Sequence, residues 1–176
     1  MSRPSFTAKA GCCIAIVTVW AVGASAEMPV PKQTAAPGPA AKLTSDSASA
    51  EMSGDHGKAL ALAEEAIKTD PKDPWAYYDR ADAMARAGRI DDGVAAFREA
   101  ERRWPIEDTW GKSVAIWGQA DVLNKAGRCG DAAPIYERYA AFVEKADADA
   151  AAMARTYAKH CAAKPVLAPA PAPAPK

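Results

Sequence analysis

The chain has 176 residues with 22 basic and 22 acidic side chains, so its formal net charge is zero. This length favours one domain or two small ones, and the neutral balance argues against a strongly cationic nucleic-acid binder. Hydrophobic residues make up 49% and charged residues 25% of the chain, which is typical of a globular protein. With two histidines and four cysteines, the chain has few residues from which a metal centre could be built.

The first 26 residues have the pattern of a secretory signal peptide. Two basic residues, Arg3 and Lys9, precede an apolar stretch from Gly11 to about Ala24, and small residues follow before Glu27. The apolar stretch is shorter than the roughly 20 residues that a membrane span needs. We therefore expect cleavage after residue 26 and an exported protein, periplasmic or extracellular, with no membrane attachment in the mature form. An uncleaved membrane anchor is the alternative.

Cleavage would change both the charge and the cysteine content. The removed segment contains Arg3, Lys9, Cys12 and Cys13 and no acidic residue, so 20 basic and 22 acidic residues remain, a net charge of −2. A single cysteine pair, Cys129 and Cys161, is left. An export signal combined with one cysteine pair favours a disulfide formed in an oxidising compartment.

Two low-complexity segments flank the central part of the chain. Residues 27–53 are rich in Ala, Pro, Ser and Thr and have few large apolar side chains, so we expect a disordered linker. Residues 164–176 alternate Pro with Ala and are expected to form a disordered, extended tail. The tail is either a solvated terminus or a spacer that contacts the cell wall or another protein.

Residues 54–163 are predicted to be all helical and contain an internal repeat. Ala, Glu, Arg and Asp dominate this part, and the alternation typical of a strand is missing. Similar segments begin at Gly54, Gly88 and Gly127. The interval from Gly54 to Gly88 is the same as that from Pro71 to Pro105, and the third segment follows a five-residue insertion.

This repeat resembles the tetratricopeptide repeat, a helix-turn-helix unit of about 34 residues. In the second unit, counted from Pro74, the residues at the characteristic positions are Tyr77, Ala81, Gly88, Phe97, Ala100 and Pro105. In the third unit they are Ile116, Ala120, Gly127, Ala132 and Tyr136. Arg80 departs from the usual leucine, Gly93 from the usual alanine, and Tyr139 and Glu144 from the usual small residue and proline. The resemblance implies an all-α fold, a short solenoid of antiparallel helix pairs.

The helical domain is expected to span residues 54–163 and to hold two full repeats preceded by half a repeat. Residues 40–53 are too polar to pack firmly as the first helix of the first unit. Gly88 and Gly127 suit the left-handed position after a first helix. Pro71 and Pro105 are expected to stop the second helices.

Residues 147–163 are predicted to form a C-terminal capping helix, which a solenoid needs at its end. Ala150, Met153, Tyr157 and Cys161 recur at spacings of three and four and predict its apolar face. A helix over about residues 131–145 followed by an antiparallel cap returns Cys161 to the level of Cys129. The predicted disulfide would close a loop of about 33 residues and stabilise the fold by about 3–4 kcal/mol.

The alternative is a redox-active or metal-binding pair, but the chain has no Cys-x-x-Cys motif. His160 and Cys161 supply two ligands, short of the four of a structural zinc site. Phosphate-binding, dinucleotide-binding, haem-attachment and nucleophile-elbow motifs are also missing from the sequence. His56 and the pairs Asp91-Asp92 and Glu64-Glu65 are interpreted as surface residues. We therefore expect no catalytic residue, no cofactor and no metal, and a protein that is not an enzyme.

The resemblance also implies a ligand groove, because the first helix of each tetratricopeptide repeat lines the concave surface. The side chains expected in the groove are Trp75, Tyr78, Asp82, Arg86, Trp117, Asp121, Asn124 and Lys125. The three aromatic rings would anchor a ligand, and the two aspartates would favour a neutral or basic one. The alternative is that Trp75 and Trp117 pack in the core, against the missing first helix or against the insertion, whose Trp110 would then cover the groove.

The predicted function is that of an exported tetratricopeptide-like module that binds a protein or an extended peptide, as a scaffold or assembly factor in the cell envelope. Nucleic acid is not an expected partner. The lysine and asparagine with which some family members clamp a terminal carboxylate are replaced by aromatic residues and aspartates, so that specificity is not transferred. The alternatives are a structural envelope protein that acts through its Pro-Ala tail and a thiol-redox protein that uses Cys129 and Cys161.

Overall fold

The structure is a computed structural model that describes residues 38–163. Its helices are α1 (Ala41–Met52), α2 (His56–Thr69), α3 (Pro74–Arg86), α4 (Ile90–Arg103), α5 (Thr109–Lys125), α6 (Cys129–Val143) and α7 (Ala148–Ala163). Since residues 38–163 contain helices and no strand, the predicted all-α class is confirmed. The predicted signal peptide, the first part of the predicted linker and the Pro-Ala tail lie outside the described residues.

The helices form three consecutive pairs and a cap. α1 packs on α2, α3 on α4, α5 on α6, and α7 packs on α6. Small residues allow the close crossings within a pair: Ala81 and Ala120 are fully buried. A methyl group added to Gly93 would lie 2.8 Å from the Ala85 Cβ. This is the packing expected of a helical-repeat solenoid with a capping helix.

Local signals in the sequence set the ends of the helices. Gly88 and Gly127 have φ values of 82° and 76°, which confirms the predicted left-handed turn after each first helix. α2 ends two residues before Pro71 and α4 ends two residues before Pro105, as predicted. At the start of α3, the Asp73 side chain accepts a hydrogen bond from the Trp75 backbone N–H at 2.9 Å.

The expectation that residues 27–53 form a disordered linker is wrong for α1, and the half repeat is a complete one. α1 packs through small residues: Ser47 is fully buried and Ala50 is 5% exposed. The Ser47 hydroxyl donates a hydrogen bond to the Ala59 carbonyl oxygen at 2.9 Å. Ser47 also lies one repeat length before Ala81, so it occupies the small-residue position of the repeat. The polar composition did not predict this helix, because α1 packs through small residues and needs no large apolar face.

The capping helix is present as α7, but its buried face is shifted by one residue. Ala151, Ala154 and Ala158 are buried together with Cys161. The predicted residues Ala150, Met153 and Tyr157 are only half-buried. Alanines face α6 because two helices approach more closely across small side chains, while the larger side chains lie at the edge of the contact.

Candidate peptide-binding groove

The first helices of the three pairs form the inner layer of the solenoid. α1 contacts α3 and α3 contacts α5, whereas no comparable contact joins α2 to α4 or α4 to α6 within residues 38–163. The layer whose helices lie closer together is the concave side of a curved stack. All eight predicted groove residues belong to α3 or α5 and therefore to this layer.

Two rings of α3 belong to a first aromatic cluster, formed by Trp75, Tyr78, Phe97, Trp104 and Trp110. The ring centroid of Trp75 lies 5.6 Å from that of Tyr78, 5.3 Å from Trp104 and 5.6 Å from Trp110. The Tyr78 ring packs edge-on against Phe97 at 5.1 Å. Trp75 and Tyr78 are half-buried, so each ring contacts the core and keeps a part of its surface open to solvent. Trp110 lies beside Trp75, as the alternative prediction proposed.

A second aromatic cluster surrounds Trp117 and consists of Trp117, Tyr136, Tyr139 and Tyr157. The centroid of the Trp117 ring lies 5.1 Å from those of Tyr136 and Tyr139 and 5.4 Å from that of Tyr157. Tyr136 is fully buried, and burial is the main cause that raises its pKa. Trp117 and Tyr157 are half-buried. The sequence predicted Trp117 as a groove residue but gave Tyr157 only a packing role in the cap.

Two predicted acidic residues of the groove are paired with basic residues of their own helices. Asp82 contacts Arg86 at 2.8 Å, and Asp121 contacts Lys125 at 2.6 Å. Each pair spans four residues of one helix, where side chains of opposite charge meet. Each aspartate therefore has a cation beside it, and the preference of the groove for a neutral or basic ligand stays a prediction.

Two further carboxyl groups, those of Asp79 and Glu51, lie beside these pairs, and the sequence did not indicate either of them. Burial raises the pKa of Asp79 to about 8, and the neighbouring carboxylates of Asp82, Asp73 and Glu51 act in the same direction. The side chain of Glu51, near the end of α1, is 7% exposed and accepts from His56 Nδ1 at 2.8 Å. Arg86 Nε lies 3.4 Å from the same Glu51 oxygen. Glu51 of α1 and Asp79 of α3 therefore lie at the contact between these two helices, and we call this region the cleft between α1 and α3.

Tyr78 lies between this cleft and α5. Burial raises its pKa, and the carboxylates of Asp82, Asp79 and Asp121 raise it further. The phenol therefore stays protonated at neutral pH and remains a hydrogen-bond donor. Tyr78 thus lies between the aromatic residues and the acidic residues of the inner layer.

Asn124 connects the groove to the cysteine pair. Its Oδ1 lies 3.4 Å from both Cys129 Sγ and Cys161 Sγ, and its Nδ2 donates to the Tyr136 hydroxyl at 3.4 Å. The Sγ atoms of Cys129 and Cys161 are 2.7 Å apart. Cys129 is 3% and Cys161 1% exposed. The predicted return of Cys161 to the level of Cys129 is confirmed; the disulfide itself stays a prediction.

A polar network on the outer side was also missed by the sequence analysis. Gln119, 1% exposed, donates to Glu101 at 2.8 Å, and Arg138 binds both Glu101 oxygens at 2.8 and 3.1 Å. The network borders a shallow cavity of about 310 Å³. Gln119 occupies the same position of its repeat as Arg80, where the family usually has leucine. A polar residue at this position was therefore the one feature of the sequence that could have indicated the network. Since every member has a partner, the network is interpreted as packing between α4, α5 and α6.

The described residues contain neither a cluster of three potential metal ligands nor a helix long and apolar enough to cross a membrane. Residues 50–103 match the family model of the tetratricopeptide repeat. The match covers the end of α1 and all of α2, α3 and α4. No curated protein gives a significant match to the chain. The family match, the spacing of the repeat and the packed helix pairs together show that residues 50–103 form a segment of the tetratricopeptide repeat family.

Proposed function

We propose that this protein is an exported module that binds a protein or an extended peptide, acting as a scaffold or assembly factor in the cell envelope. Tetratricopeptide repeats generally mediate protein–protein interactions and are typically not enzymes. The observation that carries the proposal is the row of half-buried rings, Trp75, Tyr78 and Trp117, on the inner layer. The export part depends on the pattern of residues 1–26.

The mechanism of binding is non-covalent. Trp75 and Trp117 are held by edge-on contacts with neighbouring rings, so a ligand need not restrict them further when it binds. Pre-ordered aromatic anchors lower the entropic cost of association. An extended segment that lies across α3 and α5 would contact both rings. We assign the protein no catalytic activity of its own.

The test is a pull-down from envelope extract that compares wild type with the double variant Trp75→Ala/Trp117→Ala. Because both rings also contact the core, circular dichroism must first establish that the variant is folded. A second variant, Ala48→Tyr, places a ring on the exposed inner side of α1 without opening a cavity. Ala95→Tyr on the exposed side of α4 is the matched control. We expect a partner that wild type and the control capture and both groove variants lose; equal capture by all four would reject the groove.

The structure also favours a structural disulfide, which we propose for Cys129 and Cys161. A shift of under 1 Å would bring the sulfur atoms from 2.7 Å to the bonded distance of about 2.05 Å. Formation of the bond releases two protons and two electrons to a disulfide-bearing oxidant of the compartment. The bridge would tie α7 to the first turn of α6.

Two other functions have less support. A thiol-redox role requires a sulfur that a substrate can reach, and both cysteines are almost fully buried. A structural role through the Pro-Ala tail concerns residues 164–176, outside the described part. Deletion of these residues would separate that role from the groove: loss of envelope retention with an intact fold and intact partner capture would favour the tail.

A further inference from the structure

The side chains on the inner side of α1 are smaller than those on the inner side of α3. The bulky or charged residues of α3 have small counterparts one repeat length earlier, on α1. These counterparts of Trp75, Tyr78, Asp79 and Asp82 are Ala41, Thr44, Ser45 and Ala48. Ser45 and Ala48 are exposed. The inner layer therefore changes from large rings on α3 and α5 to short side chains on α1.

A buried carboxylate oxygen without a partner lies at this cleft. Glu51 Oε2 is bound by His56 and approached by Arg86, but Glu51 Oε1 is buried and has no hydrogen-bond partner within the described part of the chain. The Glu51 side chain is 7% exposed. Leaving a buried acceptor unpaired is unfavourable, and more so when the acceptor carries charge. A donor that entered the cleft would remove this penalty.

Negative charge exceeds positive charge around the cleft. The carboxyl group of Asp79 interacts electrostatically with those of Asp73, Asp82 and Glu51, which belong to the N-cap of α3, to α3 and to α1. The cations beside them are Arg86 and, when protonated, His56, both of which contact Glu51. Asp79 has no ion pair among the residues that the structure describes. The cleft is thus complementary to a cation.

We propose that the cleft between α1 and α3 binds a lysine or arginine side chain from an extended segment of the partner. The inference rests on the proposed function, since the segment lies on the same inner layer as the aromatic rings. The N–H donors of the cation bind Glu51 Oε1 and lie beside Asp79, while its aliphatic part packs over Ala48. The partner is accordingly a basic peptide segment.

The probes are three capped nine-residue peptides, (Ala-Lys-Ala)₃, (Ala-Gln-Ala)₃ and (Ala-Glu-Ala)₃, titrated calorimetrically into the full chain at low ionic strength. We expect the lysine peptide to bind about tenfold or more tightly than the glutamine peptide, and the glutamate peptide to bind most weakly. The double variant Glu51→Gln/Asp79→Asn should bind the lysine and glutamine peptides with equal affinity. Glu64→Gln, an exposed residue of α2, is the matched control and should keep the wild-type preference.

Proton release gives a second readout that a merely structural role would not move. A bound cation favours the ionised form of Asp79, so affinity for the lysine peptide should rise as the pH is raised from 6 towards about 8. Because His56 contacts Glu51, the variant His56→Gln is the control for any contribution from that ring. We therefore expect the rise to persist in His56→Gln and to disappear in Asp79→Asn. A rise that disappears only in His56→Gln would contradict the role of Asp79.

The outcomes separate this inference from the proposed function. Equal binding of the lysine and glutamine peptides, with both lost in Ala48→Tyr, would overturn the cation site and support the groove. A preference for the glutamate peptide, or no binding by the lysine peptide, would also overturn the cation site. The groove itself is judged by the pull-down, which does not depend on the charge of the partner.

Discussion

At the scale of single residues, charge on the inner layer is mostly neutralised within each helix. Asp82 with Arg86 and Asp121 with Lys125 are partly exposed pairs, and pairs of this kind contribute about 0.3–0.5 kcal/mol each. Their main effect is to remove free charge from the groove. Asp79 differs, because burial and three neighbouring carboxylates favour its neutral form. The electrostatics of the site therefore depend on Asp79 more than on the two aspartates that the repeat pattern indicates.

Replacing Asp79 with asparagine should stabilise the fold by an amount that grows with pH. The pKa of Asp79 rises from 3.8 in the unfolded chain to about 8 in the folded one. Between these values the folded state holds the proton and the unfolded state does not, so stability falls as the pH rises. Urea denaturation at pH 5 and pH 8 should show a larger gain for Asp79→Asn at pH 8, more than about 1 kcal/mol. The control Glu64→Gln should give the same small difference at both values.

Gly111 is expected to be sensitive to the smallest possible substitution. A methyl group built on Gly111 would lie 1.6 Å from Trp104 Nε1, and Trp104 is 3% exposed. Gly111→Ala should therefore lower the free energy of unfolding by about 1–3 kcal/mol and disturb the first aromatic cluster. Gly57→Ala is the control, since the nearest atom to its added methyl group lies at 3.8 Å. Equal stability of the two variants in urea would show that the Trp104 ring moves aside freely.

At the scale of helices, the spacing of glycines, prolines and small residues predicted α2 to α7. The composition of residues 27–53, in contrast, predicted disorder where α1 forms. The repeat spacing that places Ala81 in α3 also places Ser47 in α1, but a composition rich in serine is more typical of a disordered segment. The wrong prediction for α1 also affected the prediction of the site. Without α1, Glu51 had no place beside Asp79, so the acidic cleft could not be predicted. The rings of α3 and α5 could be predicted as groove residues because the register of the repeat alone determines which side of each helix faces the inner layer.

The docking of α1 on α2 can be tested at Ser47. This residue is fully buried, and its hydroxyl binds the Ala59 carbonyl oxygen. Ser47→Leu should overfill the crossing and destabilise the protein by about 1–3 kcal/mol in urea denaturation. Ser49→Leu, an exposed position of the same helix, should change stability little. If the two substitutions had the same small effect, α1 would not be packed on α2 in solution.

At the scale of the whole molecule, each helix packs mainly on its neighbours in the chain, so the core is thin and its ends are vulnerable. α7 closes one end by burying Ala151, Ala154 and Ala158 against α6. The main core cluster includes both Cys129 and Cys161. A covalent link at this point would join the cap to the last repeat, and it would act where a repeat solenoid begins to fray.

The disulfide prediction is best tested by comparing single and double variants. In oxidised mature protein, Cys129→Ala, Cys161→Ala and the double variant should each lose about 3–4 kcal/mol in urea denaturation. The three losses of unfolding free energy should be nearly equal, because either single substitution removes the same bond. The second substitution then has little further effect on stability. Wild type treated with a reductant should approach the variants, with the remaining difference reporting the packing of the buried sulfurs. Alkylation of the unfolded, unreduced chain provides the direct check: labelling of both cysteines would contradict the bridge, and the cap would then be held by its alanine contacts alone.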